Sequence, residues 1–242
     1  MVGPCISHAQ FEPPPTRNSR PPAKLLAMMR QDHLPFTPRG EITGSGVFPV
    51  TLATGQGDIR CRLHLTDGGD AILWVFGSGG GLGGPAGGLY DRLGEVFRGE
   101  GTSSLELDYR RPGQLSSCVA DVLTGIEYLR TLGKTRVVLV GHSFGGAVVI
   151  DAGASSPAVA AVAALSSQTA GTGRVTELSR RPVLFLHGAA DEVLPQRCSH
   201  DLYARAGEPK AIIIYPGCRH GLDQCREALD RDLSAWIRGV LG

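Results

Sequence analysis

The chain has almost no charge imbalance. Its 24 lysines and arginines face 23 aspartates and glutamates, for a formal net charge of +1. No basic surplus exists to track a nucleic-acid backbone or an anionic membrane. No apolar run approaches the roughly 20 residues that a membrane helix requires. The N-terminal segment also lacks the apolar core of a secretory signal. Cysteine is sparse: Cys5, Cys61, Cys118, Cys198, Cys218 and Cys225 are scattered along the chain. A domain of this size builds a core without staples, so the expectation is reduced thiols in a cytoplasmic protein. Cys218 has two candidate partners, Cys198 and Cys225, and the sequence does not choose between them. Cys218, His220 and Cys225 lack the paired spacing of zinc motifs, so no metal site is expected.

What is present divides the chain in two. Residues 1–45 carry Glu12-Pro13-Pro14-Pro15 and Arg20-Pro21-Pro22, which interrupt regular structure. They are expected to be an unstructured extension with one short helix at Lys24–Arg30. The extension favours arginine over acidic residues, which leaves organelle targeting open. Residues 46–242 read as one α/β domain. Eight strand-like runs are expected: Val47–Ala53, Ile59–Leu65, Ala71–Phe76, Ser103–Asp108, Arg136–Val140, Val159–Leu165, Val183–His187 and Ala211–Tyr215. Helical stretches alternate with the later runs, which implies a mainly parallel sheet covered on both faces. Val119, Val122, Ile126, Leu129 and Leu132 recur at helical spacing, as do Leu229, Leu233, Trp236, Ile237 and Val240. These stripes are expected to be core.

Gly141-His142-Ser143-Phe144-Gly145 follows the apolar run Val137–Val140 and precedes the helix-forming Ala147–Ile150. A serine on such a strand-to-helix turn stands exposed at the carboxyl end of a sheet. A serine hydroxyl is a weak nucleophile unless a base takes its proton and an acid orients that base. The chain supplies both downstream. Asp191 follows the run Pro182–Leu186, and His220 follows Ala211–Tyr215. Each candidate falls just past a strand end, where ligand sites gather in open parallel sheets.

On Gly-His-Ser-Phe-Gly-Gly at 141–146, Leu-His-Gly-Ala-Ala-Asp-Glu-Val-Leu-Pro at 186–195 and Cys-Arg-His-Gly at 218–221, the segment from Val47 onward resembles the α/β-hydrolase superfamily. It is closest in kind to minimal, dienelactone-hydrolase-like esterases. The resemblance implies a three-layer fold without cofactor. It implies Ser143 as nucleophile, His220 as general base and then acid, and Asp191, rather than the adjacent Glu192 or the earlier Asp108, as the orienting carboxylate. His142 and His187 are then loop-bracing residues. The oxyanion donors would be the backbone amides of Phe144 and Ser78, with Gly79 as runner-up to Ser78. Phe76 stands where such proteins commonly have a histidine. The family often inserts a lid after its sixth strand, but here only about Ser166 to Arg181 intervenes. An open cleft is implied, with specificity set by the loops Gly77–Gly88, Arg110–Gln114 and Ser166–Arg174. The substrate would be a small ester, thioester or lactone, cleaved through an acyl-enzyme.

Two rival readings stand beside this one. Gly79-Gly80-Gly81-Leu82-Gly83-Gly84 matches G-x-G-x-x-G after a strand, and Asp108 ends the next strand. That is the outline of an NAD-binding unit in an oxidoreductase. However, the strand stops short of the first glycine, the carboxylate lies beyond the usual offset of about 20 residues, and two strands precede the unit. The other rival is a hydrolase fold kept only for binding. The presence of all three triad residues argues against it.

Overall fold

The runs Ala71–Val75, Val137–Val140, Val159–Leu165 and Val183–Leu186 are apolar almost without interruption. A strand of that kind tolerates no water on either face and belongs inside a parallel sheet under helices. The computed structural model, which describes residues 33–178 and 180–242, places all four there. One sheet of nine strands has the order β1-β2-β3-β5-β4-β6-β7-β8-β9. The strands are β1 Phe36–Arg39, β2 Gly46–Thr54, β3 Gly57–Leu65, β4 Asp70–Val75, β5 Ser103–Asp108, β6 Arg136–His142, β7 Val159–Leu165, β8 Val183–Gly188 and β9 Lys210–Tyr215. From β5 through β9 every neighbouring pair is parallel. β1, β2 and β3 form an antiparallel flank joined to β5 through β3.

Among the described residues five helices cover the two faces. They are α1 Pro85–Gly99, α2 Leu115–Thr131, α3 Phe144–Ser155, α4 Arg197–Arg205 and α5 Arg226–Leu241. One core lies under α2, α3 and α4, with Val122, Ile126, Leu129, Val148 and Leu202 among its members. The other lies under α1 and α5, with Leu89, Leu93, Leu229, Leu233 and Ile237. The two helical stripes read from the sequence are therefore the sheet-facing sides of α2 and α5. This is the α/β-hydrolase architecture. Between β7 and β8 the described residues form a single 3-10 turn, Gly173–Leu178, and no helical lid.

Two expectations need correction. The proposed extension does not run to residue 45 without structure. Phe36–Arg39 pairs antiparallel with Thr51–Thr54 of β2. Phe36 meets the Tyr128 ring edge-on at 6.2 Å, and the Leu34 amide donates to Thr124 Oγ1 at 3.0 Å. A four-residue strand with one anchoring aromatic leaves too short a pattern to read as alternation. The expected helix at Lys24–Arg30 lies outside the described residues. The second correction concerns the cysteines. Cys218 and Cys225 form a disulfide, whereas Cys61, Cys118 and Cys198 are free. The tight turn of the β9–α5 loop brings the two Cα atoms within 5.7 Å, inside the bonding range.

Candidate active site

The carboxyl ends of β6, β8 and β9 meet at one place, and the three sequence-predicted residues meet there too. β6 ends at His142 and α3 begins at Phe144, leaving Ser143 alone to make the turn. Its φ of 58° and ψ of −119° are left-handed backbone that a residue with a Cβ rarely adopts. The surroundings fix this conformation. The Ser143 amide donates to the Leu165 carbonyl at 2.8 Å, and the Ser143 carbonyl accepts from the Gly146 amide at 3.0 Å. A side chain at Gly141 would strike the Gly145 carbonyl, and one at Gly145 would strike the Phe76 carbonyl. The glycines of the motif are there for this close approach.

Ser143 Oγ–H donates to His220 Nε2 at 3.1 Å. His220 Nδ1–H donates to Asp191 Oδ2 at 2.8 Å. The carboxylate can only accept, so it fixes the tautomer that leaves Nε2 free to receive the serine proton. Asp191 lies on the β8–α4 loop with its side chain buried. Its other oxygen, Oδ1, accepts from the amides of Val193 and Leu194, each at 2.8 Å. Burial pushes this carboxyl's pKa up. The bond from His220 and the two amides outweigh burial and hold it below the usual value. The acid is thus ionised and immobile. Glu192 reaches only the His220 backbone amide, at 3.5 Å.

Two further histidines brace the constellation. His142 Nε2–H donates to the His220 carbonyl at 2.8 Å, and the two rings are 4.8 Å apart. Burial lowers the His142 pKa to about 4, so the ring is neutral near pH 7. Phe76 lies 5.4 Å from the same ring, apolar at the place where proteins of the resembled family commonly have a histidine. His187 Nδ1 accepts from Ser199 Oγ–H at 2.7 Å. Its Nε2–H faces the Leu194 carbonyl at 2.9 Å and Asp191 Oδ2 at 3.1 Å. The contact between His187 and Asp191 escapes sequence reading, although the histidine's place four residues before the aspartate is its signal.

The glycine-rich loop closes the other side. Gly77 to Gly80 form a turn closed by the Gly80 amide on the Gly77 carbonyl at 3.0 Å. A Cβ on Gly77 would lie 3.6 Å from the Ser143 Cβ, so the turn borders that serine. Among the described residues the amides of Ser78 and Phe144 have no hydrogen-bond acceptor. The same holds for the Gly79 amide, the runner-up to Ser78, whereas two amides further along are taken. Gly81 N–H donates to Asp108 Oδ1 and Gly83 N–H to Glu106 Oε2, each at 2.6 Å. A loop that already holds two buried carboxylates through its amides is a poor cradle for a phosphate, which weakens the dinucleotide reading. Asp108 also pairs with Arg60 and stands apart from His220.

Beside this loop His64, Asp91 and Glu106 bring one ring nitrogen and two carboxylate oxygens within 4.8 Å of each other. Arg62 Nη1 sits 2.7 Å from Asp91 Oδ1 and 3.2 Å from Glu106 Oε1. A guanidinium therefore already bridges the two oxygens that a metal would need. A concavity of about 300 Å³ lies between Gly69, Gly101 and Arg238, at the amino ends of β4 and β5 and away from Ser143. No helix among the described residues is long and apolar enough to cross a membrane.

Comparison with known proteins agrees with this architecture. Residues 102–236 match the model of the dienelactone hydrolase family. YfhR, an uncharacterised protein of Escherichia coli K12, is 31% identical over 118 residues, which cover 39% of this chain and 42% of YfhR. The chain thus matches less than half the length of that curated relative. Est1E from Butyrivibrio proteoclasticus superposes with a TM-score of 0.71 at 16% identity, covering 81% of this chain and 99% of Est1E. A dienelactone hydrolase from Anabaena variabilis gives a TM-score of 0.71 at 16% identity, covering 82% and 99%. At such identity these structures speak to the fold. The family match covers more than half of the chain, which therefore belongs to the dienelactone hydrolase family.

Proposed function

We propose that the protein is a serine hydrolase that cleaves small carboxylic esters, thioesters or lactones through an acyl-enzyme. The observation that carries this reading is the unbroken hydrogen-bond chain from Ser143 Oγ through His220 to Asp191. In the first half-reaction Ser143 Oγ attacks the acyl carbon while its proton passes to His220 Nε2. Asp191, held ionised by its amide bonds, stabilises the imidazolium without taking the proton. The amides of Ser78 and Phe144 receive the negative charge that develops on the carbonyl oxygen. His220 then returns the proton to the leaving alcohol, thiol or ring oxygen. In the second half-reaction water repeats the sequence and frees Ser143. Residues 46–242 carry all of this machinery, and the partner is a small acyl compound.

The test is a fluorophosphonate probe followed by peptide mapping. The adduct is expected on Ser143, and Ser143→Ala should lower kcat by about 10⁴ to 10⁶. A probe adduct on another residue, or full activity in Ser143→Ala, would overturn the proposal.

A further inference from the structure

Glu106 and Asp108 point from β5 toward the glycine loop, and both side chains are buried. They are two residues apart on one strand and so share a face. Their partners on β3 are equally regular. Arg60 is registered opposite Asp108 and Arg62 opposite Glu106, and each forms the cross-strand ion pair. This two-rung ladder runs beneath the loop that carries Ser78. Buried carboxylates persist where charge and hydrogen bonds compensate their lost hydration. Here the compensation comes from the two arginines and from two loop amides, Gly81 and Gly83, at 2.6 Å.

That loop needs holding. Gly80, Gly81, Gly83 and Gly84 all have positive φ, between 68° and 98°. Glycines lose more conformational freedom on ordering than any other residue, so a loop so rich in them is not fixed by its own sequence. Its far end is tied by the Tyr90 amide on the Gly83 carbonyl at 3.0 Å and by Tyr90 Oη–H on the Val75 carbonyl at 2.8 Å. Among the described residues its near end, the turn with Ser78, is tied by hydrogen bonds only at Gly80 and, beyond it, at Gly81. An oxyanion donor is effective only if it is already in place when charge develops.

We propose that Glu106 and Asp108 are positioning residues for the reaction. They act as an internal anion pair that grips the loop through Gly81 and Gly83 and so sets the Ser78 amide over Ser143. Arg60 and Arg62 neutralise the pair, so that it does not repel the oxyanion it helps to form. This inference rests on the hydrolase reading above and deepens it. Neither carboxylate touches the substrate. Their removal should therefore raise the energy of the tetrahedral state and leave ground-state binding nearly intact.

The experiment compares the full-length chain with Asp108→Asn, Glu106→Gln and the double variant. A stability-matched control, Ile237→Val, lies in the core under α5. The readouts are kcat and KM on a small p-nitrophenyl ester, affinity for a boronic acid that forms a tetrahedral adduct, and melting temperature. Each single variant should lose about tenfold in kcat, less than the 10²–10³ for outright deletion of an oxyanion donor, with KM within about twofold. Boronic acid affinity should fall by the same factor as kcat, and the double variant should fall further. The control should lose melting temperature and keep its kcat. Unchanged kcat in the single variants, an equal kcat loss in the control, or a fall in kcat without one in boronic acid affinity overturns the proposal. Wild-type amide exchange tests it even where a variant does not fold. The Gly81 and Gly83 amide protons should exchange as slowly as those of β5, and exchange at exposed-loop rates overturns it. Fluorophosphonate labelling of wild type runs in parallel. No adduct on Ser143 overturns the hydrolase reading and this inference with it, whereas an adduct there with insensitive variants overturns this inference alone.

Discussion

Asp191 and Asp108 both reach toward Ser143, one through His220 and the other through the glycine loop, and the difference between them lies in their partners. Both follow from strands of the parallel sheet, and both have buried side chains. Both accept backbone amides from a loop: Val193 and Leu194 for Asp191, Gly81 for Asp108. Asp191 spends its remaining oxygen on imidazoles, at 2.8 Å from His220 and 3.1 Å from His187. Asp108 spends its own on the guanidinium of Arg60. A guanidinium keeps its proton at any working pH, so that pair can only hold a loop. An imidazole can both give and take a proton, so a carboxylate that holds one can orient a base. On the proposed reading one side of the site moves a proton and the other stays still.

The sharpest way to break this contrast is to replace each carboxylate by its amide. Asp191→Asn should lower kcat by about 10⁴, the scale seen when a triad histidine is held in the wrong tautomer. Asp108→Asn should cost about tenfold, because it loosens a donor rather than disabling the base. Steady-state kinetics on one small ester, with circular dichroism to verify folding, decides it. The reverse ranking would assign the orienting role to Asp108.

The mobile side should also leave a mark on stability. Burial lowers the His142 pKa to about 4, whereas an unfolded imidazole titrates near 6.5. Between these values the unfolded chain binds more protons than the folded one. Stability therefore rises with pH through this window and is lost as pH falls through it. The shift corresponds to roughly 3 kcal/mol at most. His187, also lowered by burial, adds to the slope with the same sign. Urea titrations at pH 4.5 and pH 7 should differ by about 2–3 kcal/mol less in His142→Gln than in wild type. An unchanged difference would mean that His142 is not buried as described.

Much of this contrast was legible in the chain itself. The continuous apolar runs of β4, β6, β7 and β8 demanded a covered parallel sheet. The serine, aspartate and histidine past three strand ends pointed to one site. The still side was harder to read. Glu106 sits in an alternating strand, where a buried carboxylate looks like any polar residue on the open face. Only the β3–β5 register, a contact distant in sequence, pairs it with Arg62. The glycine loop even suggested a phosphate site, because free amides and amides already holding a carboxylate look the same in sequence. The Cys218–Cys225 pairing likewise depends on a turn that no local pattern specified.

A smaller effect should come from the outer flank. β1 is joined to the sheet only through β2, so the oxyanion side, anchored from β3 and β5, does not depend on it. A chain starting at Gly46 loses the β1 ladder, the Phe36–Tyr128 contact and the Leu34 bond. That burial is worth about 2 kcal/mol, or a fall of several degrees in melting temperature. The chain starting at Gly46 and one starting at His33 should both keep kcat on a small ester. A fall in kcat at Gly46 would show that the still side reaches as far as β1.

The smallest expected effect concerns acyl length, and it asks whether the cleft has walls beyond its two sides. His220 and the glycine loop border Ser143, and only the turn Gly173–Leu178 and its neighbours follow β7. A methylene contributes about 0.8 kcal/mol, close to fourfold in kcat/KM, when it is fully buried. Among the described residues no helical lid follows β7 to bury a long chain. The series from acetyl to decanoyl esters should therefore gain for the first few carbons and then flatten or fall, with no jump above the micelle threshold. A fourfold rise per methylene sustained to ten carbons would require an additional apolar wall. That wall would have to come from the Gly77–Gly88 loop in another position or from residues 1–32, and repeating the series on the chain starting at His33 tells these two sources apart.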